Sequence, residues 1–141
     1  MTNTKEENLK QRIIDEMSVD YADSLERNFD LAKQFIRITS TGKVDLAFKE
    51  KIAGREQILL YLIGKIYAKK ADFTDTEMVE NEELMSELGI GRGSLLPWIK
   101  FLRDEGKIKT MKKGQKALHS IPMQLVEKTL KEIEKKIKEK T

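Results

Sequence analysis

Residues 88–108 read LGIGRGSLLPWIKFLRDEGKI and carry the strongest structural pattern in the chain. Leu95, Ile99 and Leu102 recur at intervals of four and three, which predicts a helix with one apolar face turned to the core. Gly89 suits the left-handed residue that ends a preceding helix, and Gly106 ends this one. The stretch therefore predicts two helices joined by a short turn.

Pro97 limits where the second of these helices can begin. A proline deep in a helix lacks an N–H and clashes with the carbonyl group four residues earlier. With Ser94 as the N-cap, Pro97 would be the third helical residue, where no intrahelical donor is needed. That interpretation makes residues 91–93 the turn, and a start at Gly91 with a kink is the alternative.

The segments before this stretch predict two more helices. Residues 54–70 carry the apolar stripe of a central helix, with Gly64 marking a close packing contact. Residues 82–88 predict a short acidic helix with Asn81 as its N-cap, because a cap side chain satisfies the first free N–H groups. A polar connector with a short turn or strand near Val79 joins the two.

The segments after Gly106 predict a hairpin and a last helix. Residues 107–111 and 116–121 read as two strands around a turn at 112–115, where Gly114 permits the reversal. From Pro122 onwards an a/d seam recurs at intervals of three and four, formed by Met123, Val126, Leu130, Ile133 and Ile137. This seam suits docking on a partner helix, and packing on the chain's own N-terminal arm is the alternative.

The N-terminal region predicts a helical arm over residues 5–34. Its apolar residues recur every four positions, as Leu9, Ile13, Met17, Tyr21, Leu25 and Phe29. Residues 18–20 could interrupt the helix. An amphipathic helix ahead of a small domain has to bury its stripe. Dimerisation through this arm is favoured, and packing on its own domain is the alternative.

Residues 35–49 change to an alternation of two and predict a β-hairpin around Gly42. In this interpretation Ile36 and Ile38 share one face of the hairpin. Another face carries Val44, Leu46 and Phe48.

Composition bounds the class of protein. The chain has 141 residues, 39% apolar and 36% charged, which predicts one domain with an appended helical arm. It has no cysteine, and its longest apolar run, Ile58–Ile63, is too short to cross a membrane. We expect a cytoplasmic location. The many lysines and glutamates indicate either a thermophile, such as an archaeon, or a lysine-rich, low-GC genome.

Charge is divided sharply along the chain. Residues 72–90 contain seven acidic residues and no Lys or Arg, whereas residues 91–120 contain eight Lys and Arg against two acids. The net charge changes from −7 to +6 within one structural unit. This pattern predicts a polarised surface.

Residues 55–121 resemble a winged helix-turn-helix, as in DNA-binding regulators of the MarR, PadR and ArsR groups. The resemblance rests on the order of a helix, an acidic Leu-rich helix, Leu88-Gly89-Ile90, a polar turn, a second helix, residues 105–108 (EGKI) and a basic hairpin. It implies a mainly α fold with a small β component. The chain divides into an N-terminal helical arm (1–34), a β-hairpin (35–53), the winged-helix core (54–121) and a C-terminal amphipathic helix (122–141).

The resemblance implies a transcriptional regulator that binds double-stranded DNA as a homodimer. A recognition helix at about 94–105 would lie in the major groove, and the wing, residues 107–121, would lie on the backbone. The candidate DNA-binding residues are Arg92, Ser94, Lys100, Arg103, Lys109, Lys112, Lys113 and Lys116. An effector pocket between the terminal helices and the core is compatible with such dimers, although no residue pattern identifies a ligand.

One feature favours a different function. Leu96 and Trp98 stand where recognition helices usually carry polar residues, so the helix could dock on another protein in a replication or transcription complex. Burial of Trp98 beneath the wing is the competing interpretation.

Three other sequence features do not indicate a catalytic, cofactor or metal site. Residues 40–43 (STGK) lack the first glycine of a phosphate-binding loop, and the glycines of residues 89–93 follow a helix and not a strand. The single histidine, His119, has no thiol or second imidazole near it in sequence and is predicted to be structural. We predict no enzyme activity, cofactor or metal site.

Overall fold

The computed structural model describes residues 4–18 and 23–140. The chain is mainly helical, with a small antiparallel β component. The helices are α1 (Thr4–Arg12), α2 (Ser24–Arg27), α3 (Phe29–Ala32), α4 (Gly54–Lys70), α5 (Asn81–Leu88), α6 (Arg92–Asp104) and α7 (Val126–Glu139). The strands are β1 (Ile36–Ile38), β2 (Val44–Leu46), β3 (Val79–Glu80), β4 (Lys109–Lys113) and β5 (Lys116–Ser120). A π-helical turn (Ile13–Met17) follows α1, and 3₁₀ turns (Lys49–Lys51, Met123–Leu125) precede α4 and α7.

Helix α4 is the centre of the core, as its sequence predicted. All residues from Ile58 to Ile66 are buried, because the helix is surrounded by β1, β2, α5, α6 and α7. A Cβ atom at Gly64 would lie 2.5 Å from Cγ1 of Val44, so the β1–β2 hairpin packs directly on the helix backbone there. The predicted close contact at Gly64 is confirmed.

The β1–β2 hairpin forms where it was predicted, with Gly42 at φ 83° in its turn. The assignment of faces was wrong. Ile36 pairs with Leu46 and Ile38 with Val44, and residues directly opposite one another in an antiparallel pair point the same way. All four apolar side chains therefore share one face, while Phe48 leaves the strand with φ 61°.

Strands β3, β4 and β5 form a second antiparallel sheet in the order β3-β5-β4. The β4–β5 hairpin was predicted, but its first strand runs two residues further than expected. Lys113 pairs with Lys116, so Gly114 and Gln115 alone form the turn, and Lys112 and Lys113 belong to the strand. Gly114 has φ 66°, which suits a tight two-residue reversal.

Helix α6 begins at Arg92 with Gly91 as its N-cap, so the predicted N-cap at Ser94 was wrong and the helix starts where the alternative placed it. The carbonyl of Gly91 accepts hydrogen bonds from the N–H groups of Ser94 (3.1 Å) and Leu95 (2.9 Å). Pro97 lies inside the helix, and because proline has no N–H, one backbone hydrogen bond of the helix is not formed. Burial of Leu95, Ile99 and Leu102 confirms the predicted core face.

Helix α5 ends at Gly89, at φ 66°, as predicted, but its beginning differs. Glu80 occupies the N-cap position, and Asn81 is already the first helical residue. The reason is that the Asn81 side chain bonds His119 of β5, at 2.7 Å, and is not available to cap the helix.

Helix α7 packs within the chain. Val126, Leu130, Ile133 and Ile137 of the predicted seam are buried, and the helix contacts α4 and α2. The seam is thus unavailable to a partner helix, which corrects the favoured interpretation of this helix. The alternative is partly right, since α2 belongs to the N-terminal region, but the long central helix α4 covers the seam as well.

The N-terminal region is not one helix over residues 5–34. Ser18 is extended, and α2 and α3 are separated at Asn28. Leu25 is buried, Phe29 is 52% exposed, and Tyr21 of the predicted stripe lies outside the described residues. None of the helices described here combines the length and apolar character needed to span a bilayer.

Candidate nucleic-acid interface

Helix α6 presents two different lines of side chains on either side of its buried face. Spacings of four, four and three place Arg92, Leu96, Lys100 and Arg103 on one line. Spacings of four and three place Ser94, Trp98 and Phe101 on the other. The predicted DNA-binding residues of this helix are therefore divided, because Ser94 lies apart from the three cations.

The cationic line is exposed. Arg103, near its end, lies near His119 of β5, where its charge adds to burial in lowering the pKa of that imidazole. Nζ of Lys100 is 2.9 Å from Oδ2 of Asp104, and this bond lowers the pKa of the Asp104 carboxyl. Both side chains of the Lys100–Asp104 pair are exposed, so the pair is weak and Lys100 can exchange its partner.

The second line packs against the beginning of α4. The Trp98 ring occupies the space that a Cβ atom at Gly54 would need, and the Arg55 guanidinium stacks 4.1 Å from the centroid of the Phe101 ring. Trp98 is half-buried there. It is therefore neither fully exposed nor buried beneath the hairpin, and both sequence interpretations of Trp98 need correction.

Apolar side chains remain exposed around α6. Leu96 is 40% exposed and Phe101 41%, while Met111 on the hairpin is 57% exposed. Leu96 lies between Arg92 and Lys100 on the cationic line, so this surface is not purely polar.

The lysines of the hairpin point to opposite faces of the sheet. Thr110 pairs with His119, and its hydroxyl lies 2.9 Å from Nδ1 of that ring; the same ring bonds Asn81, so this face turns to α5. Alternation places Lys112 on the same face. Lys109, Lys113 and Lys116 share the other face, where Nζ of Lys116 is 3.3 Å from Glu80.

His119 holds the sheet against α5. The ring is 1% exposed, and its Nε2 lies 2.7 Å from Oδ1 of Asn81 while Nδ1 lies 2.9 Å from Oγ1 of Thr110. Burial, reinforced by the charge of Arg103, lowers the pKa of His119, so the neutral ring is favoured. Both ring nitrogens are engaged in the structure, in agreement with a structural role.

A buried charge network that the sequence analysis missed fixes α5 to α4. Lys65 is only 4% exposed, and its Nζ lies 3.2 Å from Glu83 and 2.7 Å from the carbonyl oxygen of Gly42. The hydroxyl of Tyr61 donates a 2.5 Å hydrogen bond to Glu83, and Lys43 lies 3.4 Å from the same carboxylate. The sequence signal was Lys65 itself, a cation directly after the apolar run of α4.

The network settles the protonation of its members. Burial alone would raise the pKa of Glu83, but the bonds from Tyr61 and Lys65 outweigh it and lower the pKa. Burial and the bond to Glu83 raise the pKa of Tyr61. The carboxylate is therefore ionised near neutral pH, and it joins the β1–β2 turn, α4 and α5 in one rigid contact.

All eight residues predicted to contact DNA are exposed, but they do not share one face. Arg92, Lys100 and Arg103 share one line of α6, and Lys112 lies on the face of the hairpin that carries His119. The structure places Ser94 beside Trp98, and Lys109, Lys113 and Lys116 on the far face of the sheet. Within residues 4–18 and 23–140, no group of three His, Asp or Glu side chains is arranged to hold a metal ion.

Comparison with known proteins identifies no relative. No protein-family model matches the chain, and no curated protein or solved structure matches it.

Proposed function

We propose that the chain is a DNA-binding transcriptional regulator with a winged helix-turn-helix core. The support is topological: α4, β3, α5, α6, β4 and β5 follow one another in the chain, and the sheet has the order β3-β5-β4. In such a core the third helix, here α6, lies in the major groove, and the hairpin β4–β5 is the wing beside it. A regulator of this kind would act in the cytoplasm.

The observation that carries the proposal is the exposed cationic line of α6, which has Arg103 near His119 of the hairpin. Arg92 and Arg103 stand at the two ends of a 13-residue helix, about 20 Å long. That length suits an α-helix lying in the major groove. Arginine presents a planar fork that binds phosphate or a guanine edge with two hydrogen bonds.

Lys100 and Lys112 complete this set as phosphate contacts. Lys100 can leave its exposed pair with Asp104 at little cost. Lys112 lies on the same face of the hairpin as His119, the residue near Arg103, so we include it as a phosphate contact of the wing. Leu96, between the arginines, is suited to apolar contact with a thymine methyl group.

A salt series on the wild-type protein tests the proposal. A fluorescein-labelled duplex of random sequence is titrated with protein at several salt concentrations, and binding is followed by anisotropy. Four phosphate contacts predict that log K falls with log salt at a slope of about −3.6, because each contact contributes about −0.9. Absence of binding at low salt, or binding that does not change with salt, would overturn the proposal.

A second function is favoured by the exposed apolar side chains. Leu96, Phe101 and Met111 are all more than one-third exposed. In this alternative the winged helix is a protein-interaction module of a replication or transcription complex, with α6 docking on another protein. The same titration separates the two functions, since a protein-docking module has no reason to bind duplex DNA with a steep salt dependence.

A further inference from the structure

A cavity of about 190 Å³ lies between the beginning of α4, the end of α6 and one face of α7. Leu59, Leu102 and Ile133 form the apolar part of its wall, and the partly exposed ring of Phe101 also lines it. A cavity of about 150 Å³ accommodates benzene, so this one has room for an organic molecule of roughly six to ten non-hydrogen atoms. The cationic line of α6 does not line this cavity, which is therefore separate from the proposed DNA contacts.

Hydrogen-bond donors without a partner lie on the α4 side of the cavity. Ala53, at the N-cap position, has no side-chain oxygen, so no cap side chain accepts a bond from the N–H groups in the first turn of α4. Those N–H groups favour a negative charge in front of them. Arg55 lies 4.1 Å from the centroid of the Phe101 ring, and within the described residues it has no ion pair. Its guanidinium N–H groups therefore remain available to a carboxylate.

Thr129 of α7 supplies a further donor. The residue is 8% exposed and lines the cavity. Its hydroxyl bonds no group in the part of the chain that the structure describes. No side-chain oxygen or nitrogen in that part is both sealed from solvent and unbonded, so the Thr129 hydroxyl opens into the cavity. A largely buried hydroxyl without a partner favours a ligand that hydrogen-bonds it.

An unpaired carboxylate stands one turn further along α7. Glu132 lines the cavity, is exposed and has no ion pair within residues 4–18 and 23–140. Its neighbour four residues on, Lys136, is bonded to Glu56, with Nζ and Oε2 2.5 Å apart. Thr129 and Glu132 are three residues apart, which places their Cβ atoms about 5–6 Å from each other. The cavity thus presents a group of donors for an anion and, one helical turn away, an acceptor for a cation.

We propose that this cavity binds an apolar α-amino acid such as leucine. The carboxylate of the amino acid accepts hydrogen bonds from the first turn of α4, from Arg55 and from Thr129. Its ammonium group, which is one carbon atom away from the carboxylate, pairs with Glu132. The aliphatic side chain packs on Leu59 and Ile133. A ligand with both charges satisfies Arg55 and Glu132 together, whereas a ligand with one charge leaves the other residue unpaired.

Titration of the full chain with three ligands of related shape tests this charge requirement. The ligands are L-leucine, 4-methylpentanoate, which lacks the ammonium group, and 3-methylbutylamine, which lacks the carboxylate. Calorimetry measures binding, and Trp98 gives a second signal, because it is the one tryptophan of the chain and its ring fills the space beside Gly54, next to Arg55. We expect leucine to bind about tenfold more tightly than either analogue, since each analogue loses a charged hydrogen bond. Absence of leucine binding at about 10 mM, or equal binding of leucine and 4-methylpentanoate, refutes the proposal.

Three variants assign the contacts. Glu132→Gln should weaken leucine binding about tenfold and leave 4-methylpentanoate binding unchanged, because only the contact with the ammonium group is lost. Thr129→Val keeps the shape of the side chain and should weaken both ligands. Glu127→Gln changes an acid of the same helix that does not line the cavity, and this matched control should bind both ligands as the wild type does. If Glu127→Gln and Glu132→Gln weaken leucine binding equally, the charge of α7 and not Glu132 governs binding, and the assigned site is wrong. These titrations contain no DNA, so their failure leaves the proposed DNA binding unaffected.

Discussion

The basic residues lie on two separate faces, so charge removal on one face at a time tests which face binds DNA. Two triple variants each remove three positive charges from exposed positions. The first, on the α6 side, is Arg92→Ala, Arg103→Ala, Lys112→Ala. The second, on the far side of the hairpin, is Lys109→Ala, Lys113→Ala, Lys116→Ala. Their net charges are equal, so any difference in DNA binding comes from position.

The expected difference follows from the number of phosphate contacts. Removing three of the four proposed contacts should make the salt slope shallower by about 2.7, from about −3.6 to about −0.9. The second triple should leave the slope near the wild-type value, because its lysines lie on the sheet face opposite Lys112. Anisotropy titrations at four or more salt concentrations measure both slopes.

The free energy of unfolding of both triple variants serves as the control. Both triples change exposed side chains, so urea unfolding should differ from wild type by about 0.5 kcal/mol or less per position. If both triples lower the slope equally, net charge and not the α6 side governs binding. If the second triple has the larger effect, the far face of the wing contacts DNA and the proposed docking geometry is wrong.

Three further predictions concern the scaffold. Gly64→Ala should destabilise the fold by about 1 kcal/mol in urea unfolding, because overpacking against Val44 outweighs the gain in helix propensity. Glu83→Gln should cost about 2 kcal/mol, since Lys65 then remains buried without an anionic partner. Stability should fall as pH drops below about 6.5, because the unfolded chain protonates His119 before the folded protein does.

Each of these has its own control. If the clash is the cause, Val44→Ala should cost less stability in the Gly64→Ala background than in the wild type, and an equal cost in both backgrounds would place the loss elsewhere. Glu82→Gln removes an exposed neighbouring charge and should be nearly neutral, so a loss equal to that of Glu83→Gln would contradict the network. In His119→Gln the contribution of His119 to the pH dependence should disappear, and an unchanged profile would assign it to other groups.

Local chemistry explains which predictions from the sequence were right. Residues 58–63 are apolar on every side, so they can only lie at the centre, and α4 does. Gly42, Gly89 and Gly114 all have positive φ, a conformation that glycine adopts without strain because it has no Cβ atom. Leu95, Ile99 and Leu102 face the core because helical periodicity depends on spacing alone.

Competition between nearby groups explains why the helix starts were missed. Ser94 and Asn81 are both good cap residues in isolation. In the folded chain Asn81 bonds His119, and the Gly91 carbonyl accepts the first helical bonds of α6. These outcomes depend on which groups the tertiary structure brings close, and no short stretch of sequence contains that information.

By itself, the sequence determined the identity of the central helix, the glycines with positive φ at Gly42, Gly89 and Gly114, and the basic character of residues 91–120. The tertiary structure alone decided which of those basic side chains lie together, because a shift of one residue in strand register moves a side chain to the other face. It also decided that the α7 seam is buried within the chain and that Lys65 meets Glu83. Such contacts join residues that are far apart in sequence. Periodicity allows many possible contacts between two elements, and only the packing of whole helices and strands selects the one that forms.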